Sequence, residues 1–196
     1  EMEAAELYAL AARHGVRVAA HAHGNAGIKA AVRAGVTSIE HGSELDDEAI
    51  ALMKQHGTYL VPTTYLVGRI NLAVLPAQVR RKAETILPIA QASLRKAIAS
   101  GVKIGFGTDA GVYPHGENAR ELALYVKYGL SSIDALRSAT VHAADALGKT
   151  DRGVIEAGRL ADLIAVPGNP LEDITATERV SWVMHAGKVV KGTAAQ

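Results

Sequence analysis

Hydrophobic positions along this chain switch repeatedly between two periods. Amphipathic stretches cover Met2–His14, Asn25–Ala34, Asp46–His56 and Pro76–Ser100, and each is followed by a short β-type run: Val16–Ala20, Val36–Glu40, Thr58–Pro62 and Val102–Phe106. The junctions repeat. Arg13-His14-Gly15-Val16, Arg33-Ala34-Gly35-Val36, Gln55-His56-Gly57-Thr58 and Ala99-Ser100-Gly101-Val102 each put a glycine at a helix end, where a left-handed residue carries no Cβ penalty. Helix and strand alternating through tight turns predict an α/β fold with parallel strands and helical crossovers. Four such units are half of an eight-stranded barrel, which takes roughly 250 residues.

Beyond the fourth run the pattern changes. Ala119–Gly129 and Ser131–Leu147 read as two further helices, the second with Ser131 or Ser132 as its cap and Asp134 in its first turn; Asn25 is the expected cap of the second amphipathic stretch. From Gly153 onward short strands and turns take over, ending in a hairpin signal at Ala186-Gly187. The expected division is a partial barrel over residues 1–152 and a small β module over 153–196.

Composition narrows the function. With 196 residues, 48% hydrophobic content and a formal net charge of +1, the chain has material for a core and no charge footprint for nucleic acid or an anionic membrane. It has no run long and apolar enough for a spanning helix, and with no signal-like segment a cytoplasmic protein is expected. The absence of cysteine excludes disulfides and thiolate chemistry, so any metal site must use His, Asp or Glu. The chain begins inside a helical pattern, which suggests that the front of a longer protein is missing.

The candidate chemistry collects at the carboxyl ends of the predicted strands, where parallel α/β folds place their ligands. The first ends in His21-Ala22-His23-Gly24, the second in Glu40-His41-Gly42, the third in Pro62-Thr63-Thr64-Tyr65 and the fourth in Gly107-Thr108-Asp109. Residues two apart on a strand share a side, so His21 and His23 can face one site. Imidazoles and a carboxylate converging there suit a divalent metal with open positions, zinc best. Tyr65 and His115 are candidate substrate contacts and His23 a substrate-orienting or supporting residue, with metal ligation as its lesser alternative, while Glu117 and Arg120 read as a solvated helix start in preference to a lining of the site. His14 and His56 complement helix dipoles; His142 reads as a helix-face residue and His185 as a hairpin residue.

Taken as an ordered set, Ala20-His21-Ala22-His23-Gly24, Ser38-Ile39-Glu40-His41-Gly42, Gly107-Thr108-Asp109-Ala110-Gly111, Ala157-Gly158-Arg159-Leu160-Ala161-Asp162-Leu163 and Asn169-Pro170-Leu171-Glu172-Asp173-Ile174 resemble the carboxyl-terminal half of metal-dependent amidohydrolases of the imidazolonepropionase-like and Xaa-Pro dipeptidase (prolidase-like) branch. The resemblance covers essentially the whole chain. It implies strands five to eight of a TIM (β/α)8 barrel plus part of a small β-sandwich domain. It also implies metal ligation by His21, His41 and Asp109, with Asp109 taking a proton from the attacking water, and one or two ions in the full-length protein. The family's first-strand His-x-His pair and its fourth-strand lysine have no counterpart here. His21 and His23 are not that pair, because too few strands separate them from Asp109.

The expected function is hydrolysis of an amide or peptide bond, in a dipeptide or an N-acyl amino acid. A deaminase or cyclic-amide hydrolase is the alternative within the fold. A different class is an inactive half-barrel, whose unpaired strand edges would drive self-association, so a homo-oligomer is expected.

Overall fold

The computed structural model describes residues 2–69 and 71–192. Helix α1 (Met2–Arg13), strand β1 (Ala19–Ala22), helix α2 (Asn25–Ala34), strand β2 (Ser38–His41), helix α3 (Asp47–His56) and strand β3 (Tyr59–Val61) follow the alternation expected. β1 and β2 pair in parallel with Ala19 beside Ser38 and Ala22 beside His41, and β2 pairs β3 with Ser38 beside Tyr59. The repeated glycines do end the helices in left-handed geometry, with φ of 92° at Gly35 and 68° at Gly57. The first strand starts three residues later than its pattern suggested, because Val16 still closes the preceding helix by donating its N–H to Ala11 O at 2.9 Å.

The fourth run departs further from expectation. Residues 102–106 lie in strand position beside β3 but join it through one parallel bridge, Leu60 with Ile104. Leu60 donates to Lys103 O at 2.8 Å and Gly105 donates to Leu60 O at 2.9 Å. Its glycines serve close packing rather than a bend: a Cβ at Gly107 would stand 2.4 Å from Val61 Cγ1, and one at Gly105 3.1 Å from Val61 Cγ2.

Helix α4 (Thr64–Arg69), a 3-10 turn (Leu72–Val74) and the long helix α5 (Ala77–Ala99) connect β3 to this run, and α6 (Arg120–Lys127), α7 (Ser132–Ser138) and α8 (Val141–Ala146) follow it. The single helix expected over 131–147 is two. Ser138 Oγ donates to Ala135 O at 2.6 Å and Thr140 Oγ1 to Leu136 O at 2.9 Å, and these hydroxyl bonds mark the break. Ser131 caps α7 as expected, accepting from Asp134 N. Asn25 does not cap α2; Gly24 holds that position, and the Asn25 amide donates to Asp46 instead.

Ile28, Val32, Ile39, Met53, Leu60 and Tyr125 form the centre of the core, where the helices cover one face of the parallel sheet. The second sheet is antiparallel: β4 (Leu163–Ala165), β5 (Trp182–His185) and β6 (Lys188–Lys191) in sequence order. Ala186 and Gly187, with φ of 47° and 78°, make the tight hairpin turn that the sequence signalled. The 3-10 segment Ile174–Glu178 packs on α6, and Ile174 joins the main core. Among the described residues no helix is long and apolar enough to cross a membrane.

Candidate metal and catalytic site

Three imidazoles meet at the carboxyl end of the parallel sheet. His21 and His23 come from the end of β1 and His41 from the end of β2, and their ligand nitrogens all lie within 4.8 Å of one another. The rings of His21 and His41 are 4.5 Å apart edge to face, and those of His23 and His41 are stacked at 4.8 Å. Strand alternation alone would not assemble this. It puts His41 on the side opposite Glu40, the register partner of His21. A φ of 72° at His41 turns the residue out of the pleat and back toward the other two rings. Gly42 follows it because a Cβ there would stand 2.4 Å from Leu60 Cδ1.

The strain recurs along the same edge. Thr63 (φ 49°) follows β3 and Asp109 (φ 52°) follows the fourth run, so three successive strand ends carry a left-handed non-glycine residue. Such residues cost about 1–3 kcal/mol each and persist where surrounding structure over-determines them.

Hydroxyl groups orient two of the rings. His23 Nδ1 lies 2.8 Å from Ser43 Oγ, and His41 Nδ1 lies 2.7 Å from Thr63 Oγ1. With Nδ1–H donated to oxygen, the Nε2 lone pair of each ring is free for a cation. Burial lowers the pKa of His41, and the neighbouring His23 and His21 lower it further; burial, then His21, does the same at His23. Both rings are thereby held neutral, the form that ligates metal. This donor set fits a divalent cation of the zinc type.

Asp109 stands outside the histidine cluster and is exposed, yet its charge works on His41, opposing the downward shift. Its turn is tied down beside it, where Asn118 Nδ2 donates to the buried Thr108 Oγ1 at 2.9 Å. Glu40, beside His21 in the sheet, is half-buried; burial raises its pKa while a 2.6 Å bond from Ser38 Oγ opposes the rise.

Tyr65 lies in a polar network on the first turn of α4. Its hydroxyl donates to Glu117 at 2.5 Å and accepts from Arg120 Nη1 at 2.9 Å, and the Arg69 guanidinium lies 6.0 Å from its ring. Glu117 and Arg120, for which the sequence favours a solvated helix start over a lining of the site, are partners of a candidate substrate contact. His115 is exposed on the loop before them.

The sequence reading missed Glu121. Its side chain is fully buried, and it accepts hydrogen bonds from the backbone N–H groups of Thr64 and Tyr65. It fixes the turn that carries Thr63, which in turn holds His41. Burial pushes its carboxyl up to about 7 against those two donors. A signal was present: Glu121 shares one helical face with Tyr125 and Tyr128, a carboxylate among core residues. Ser43 and Thr63 were missed as well, being ordinary residues just beyond strand ends.

Sequence comparison bears on this arrangement directly. The profile of the amidohydrolase family matches residues 1–190. The chain belongs to the amidohydrolase family. It is 36% identical over 191 residues to ochratoxinase of Aspergillus niger, covering 93% of this chain and 39% of that protein. It is 32% identical over 181 residues to imidazolonepropionase of Deinococcus radiodurans, covering 89% of this chain and 41% of the relative. The structure of a Xaa-Pro dipeptidase with methionine bound in its active site superposes with a TM-score of 0.92 at 43% identity, over 97% of this chain and 48% of that one. This amidohydrolase chain therefore spans less than half the length of each of these relatives. The match supports the α/β amidohydrolase fold of the TIM-barrel superfamily.

Proposed function

We propose that this chain forms part of a metal-dependent hydrolase of amide or peptide bonds, acting on Xaa-Pro dipeptides or N-acyl amino acids. The observation that carries the reading is the convergence of His21, His23 and His41 at one sheet edge, two of them held by hydroxyls. The likeness to a Xaa-Pro dipeptidase supports the substrate class. In this reading residues 1–152 supply strands five to eight of a (β/α)8 barrel, residues 153–196 supply part of a small β-sandwich, and the assembly is a homo-oligomer. The exposed Ile164 and Val190 of the second sheet suit a missing layer.

His21 and His41, with Asp109 beside them as the third ligand, would hold the divalent cation, zinc by donor type, with His23 within reach. Bound there, the cation lowers the pKa of water toward neutrality and polarises the scissile carbonyl. Thr63 and Ser43 keep the rings aimed. Asp109 accepts the proton of the attacking water and passes it to the leaving nitrogen. Tyr65 and His115 contact the substrate beyond the scissile bond.

The test is Asp109→Asn in the complete enzyme. Metal content should persist while kcat falls about 10²–10⁴-fold; undiminished activity in this variant would remove the proton-transfer role. The likeness to imidazolonepropionase favours a second reading, hydrolysis of a cyclic amide. A panel pairing X-Pro dipeptides with cyclic amides separates the two. A stable, well-behaved monomer of this chain on size exclusion would count against the half-barrel assignment.

A further inference from the structure

Next to the histidine cluster lies a cavity of about 220 Å³, walled by α4 and α5, with His23 and His41 at one end. Its construction follows from helix periodicity. Ala83, Ile86, Leu87, Ala90 and Leu94 recur at three- and four-residue spacing along one face of α5, opposite Leu66 and Val67 of α4. The two alanines leave the space that the larger side chains enclose. The walls are mostly apolar; Gln91 is the polar residue on the α5 side, and Ser43 and Thr63 are bonded to the histidine rings. Tyr65 and Arg69, on the same short helix, face the polar network with Glu117 instead.

Size and position limit the occupant. Sites that enclose whole small ligands run to roughly 300–1,000 Å³, so this cavity suits a single substituent. Because His23 and His41 line it, a substituent bound there lies close to the reacting carbonyl. A charged or strongly polar group would be buried there without enough partners. We propose that this cavity binds an unbranched or branched apolar side chain on the acyl residue of the substrate, the residue whose carbonyl is attacked, and so sets its specificity. The assignment rests on the amide-hydrolase reading for the term "acyl" and on the cavity alone for the preference for apolar groups.

Steady-state kinetics of the complete enzyme on Gly-Pro, Ala-Pro, Leu-Pro and Phe-Pro test it, with calorimetric titration of free leucine as a separate readout. A single methylene in an apolar pocket is worth about 10–200-fold, so kcat/KM for Leu-Pro should exceed that for Gly-Pro about 100-fold or more. Ala90→Leu fills the cavity and should lower the Leu-Pro to Gly-Pro ratio at least about ten-fold. Leu87→Ala enlarges it and should shift the preference from Leu-Pro toward Phe-Pro, which keeps the test decisive if the filled variant does not fold. Equal kcat/KM across the series, or an unchanged ratio in the folded variants, would overturn the proposal. Leucine binding that Ala90→Leu abolishes, in an enzyme that cleaves no dipeptide, would remove the amide reading and leave the apolar site standing. Leucine that binds neither protein, with no dipeptide cleaved, would remove both.

Discussion

The two sheets of this molecule use the same residue types for different ends. At the hairpin of the antiparallel sheet, His185 Nδ1 lies 2.9 Å from Asp162 Oδ1, and the same oxygen accepts from Ala186 N at 2.8 Å. Here a carboxylate ties down a turn, and the left-handed Ala186 is what a two-residue hairpin requires. At the parallel sheet, the left-handed His41, Thr63 and Asp109 answer to no hairpin. There the rings of His23 and His41 are held by hydroxyls and kept neutral, and all three imidazoles are turned toward one another. A His beside an Asp therefore says little; backbone strain that recurs at successive strand ends, with ring nitrogens left free, says more.

That contrast can be tested by removing supports on each side. The largest loss of stability should follow Glu121→Ala. It opens a cavity and strands the N–H groups of Thr64 and Tyr65, which predicts a loss of about 2–4 kcal/mol in urea unfolding. pH sharpens the same point. Burial makes the folded protein hold the Glu121 proton up to about 7, above its ordinary 4.5. Its contribution is thus fully present below pH 4.5 and is lost as pH rises toward 7, by up to about 3 kcal/mol. Relative to Glu121→Gln, the wild type should therefore lose stability across that window; a difference that is flat with pH would mean the carboxyl is ionised throughout.

Thr63→Val keeps shape and removes the hydroxyl beside His41. Metal affinity should fall about 10–100-fold, the usual consequence of removing a group that orients a ligand, as read by competition with a chelator. The smallest effect belongs to the other sheet: Asp162→Ala should lower stability only slightly and leave metal affinity unchanged. If Asp162→Ala weakened metal binding as much as Thr63→Val, the division between the two regions would fail.

Much of this organisation could be read from the chain. Glycines after amphipathic stretches marked the helix ends, the turn at Ala186-Gly187 marked the hairpin, and the strand ends pointed to His21, His41 and Asp109 as candidates. What could not be read depends on geometry across elements. Periodicity puts His41 on the wrong side of its strand, and only its left-handed backbone brings it to His21. The sequence leaves His23 between orienting substrate, supporting a ligand and ligating metal, because it cannot measure the stacking that sets this ring 4.8 Å from His41. The fourth strand was overestimated because an apolar run says nothing about how many ladder bonds a glycine-interrupted segment makes. Glu121 acts through the backbone of a distant turn, a contact that no local pattern encodes.

The central claim is that the histidine cluster holds a divalent cation, and zinc stoichiometry tests it most directly. The purified chain, loaded with zinc and exchanged into chelator-free buffer, is compared with the His21→Ala, His41→Ala double variant by plasma emission spectrometry. About one equivalent in the parent chain and none in the variant is the predicted result. No zinc in the parent, or equal zinc in both, would contradict it.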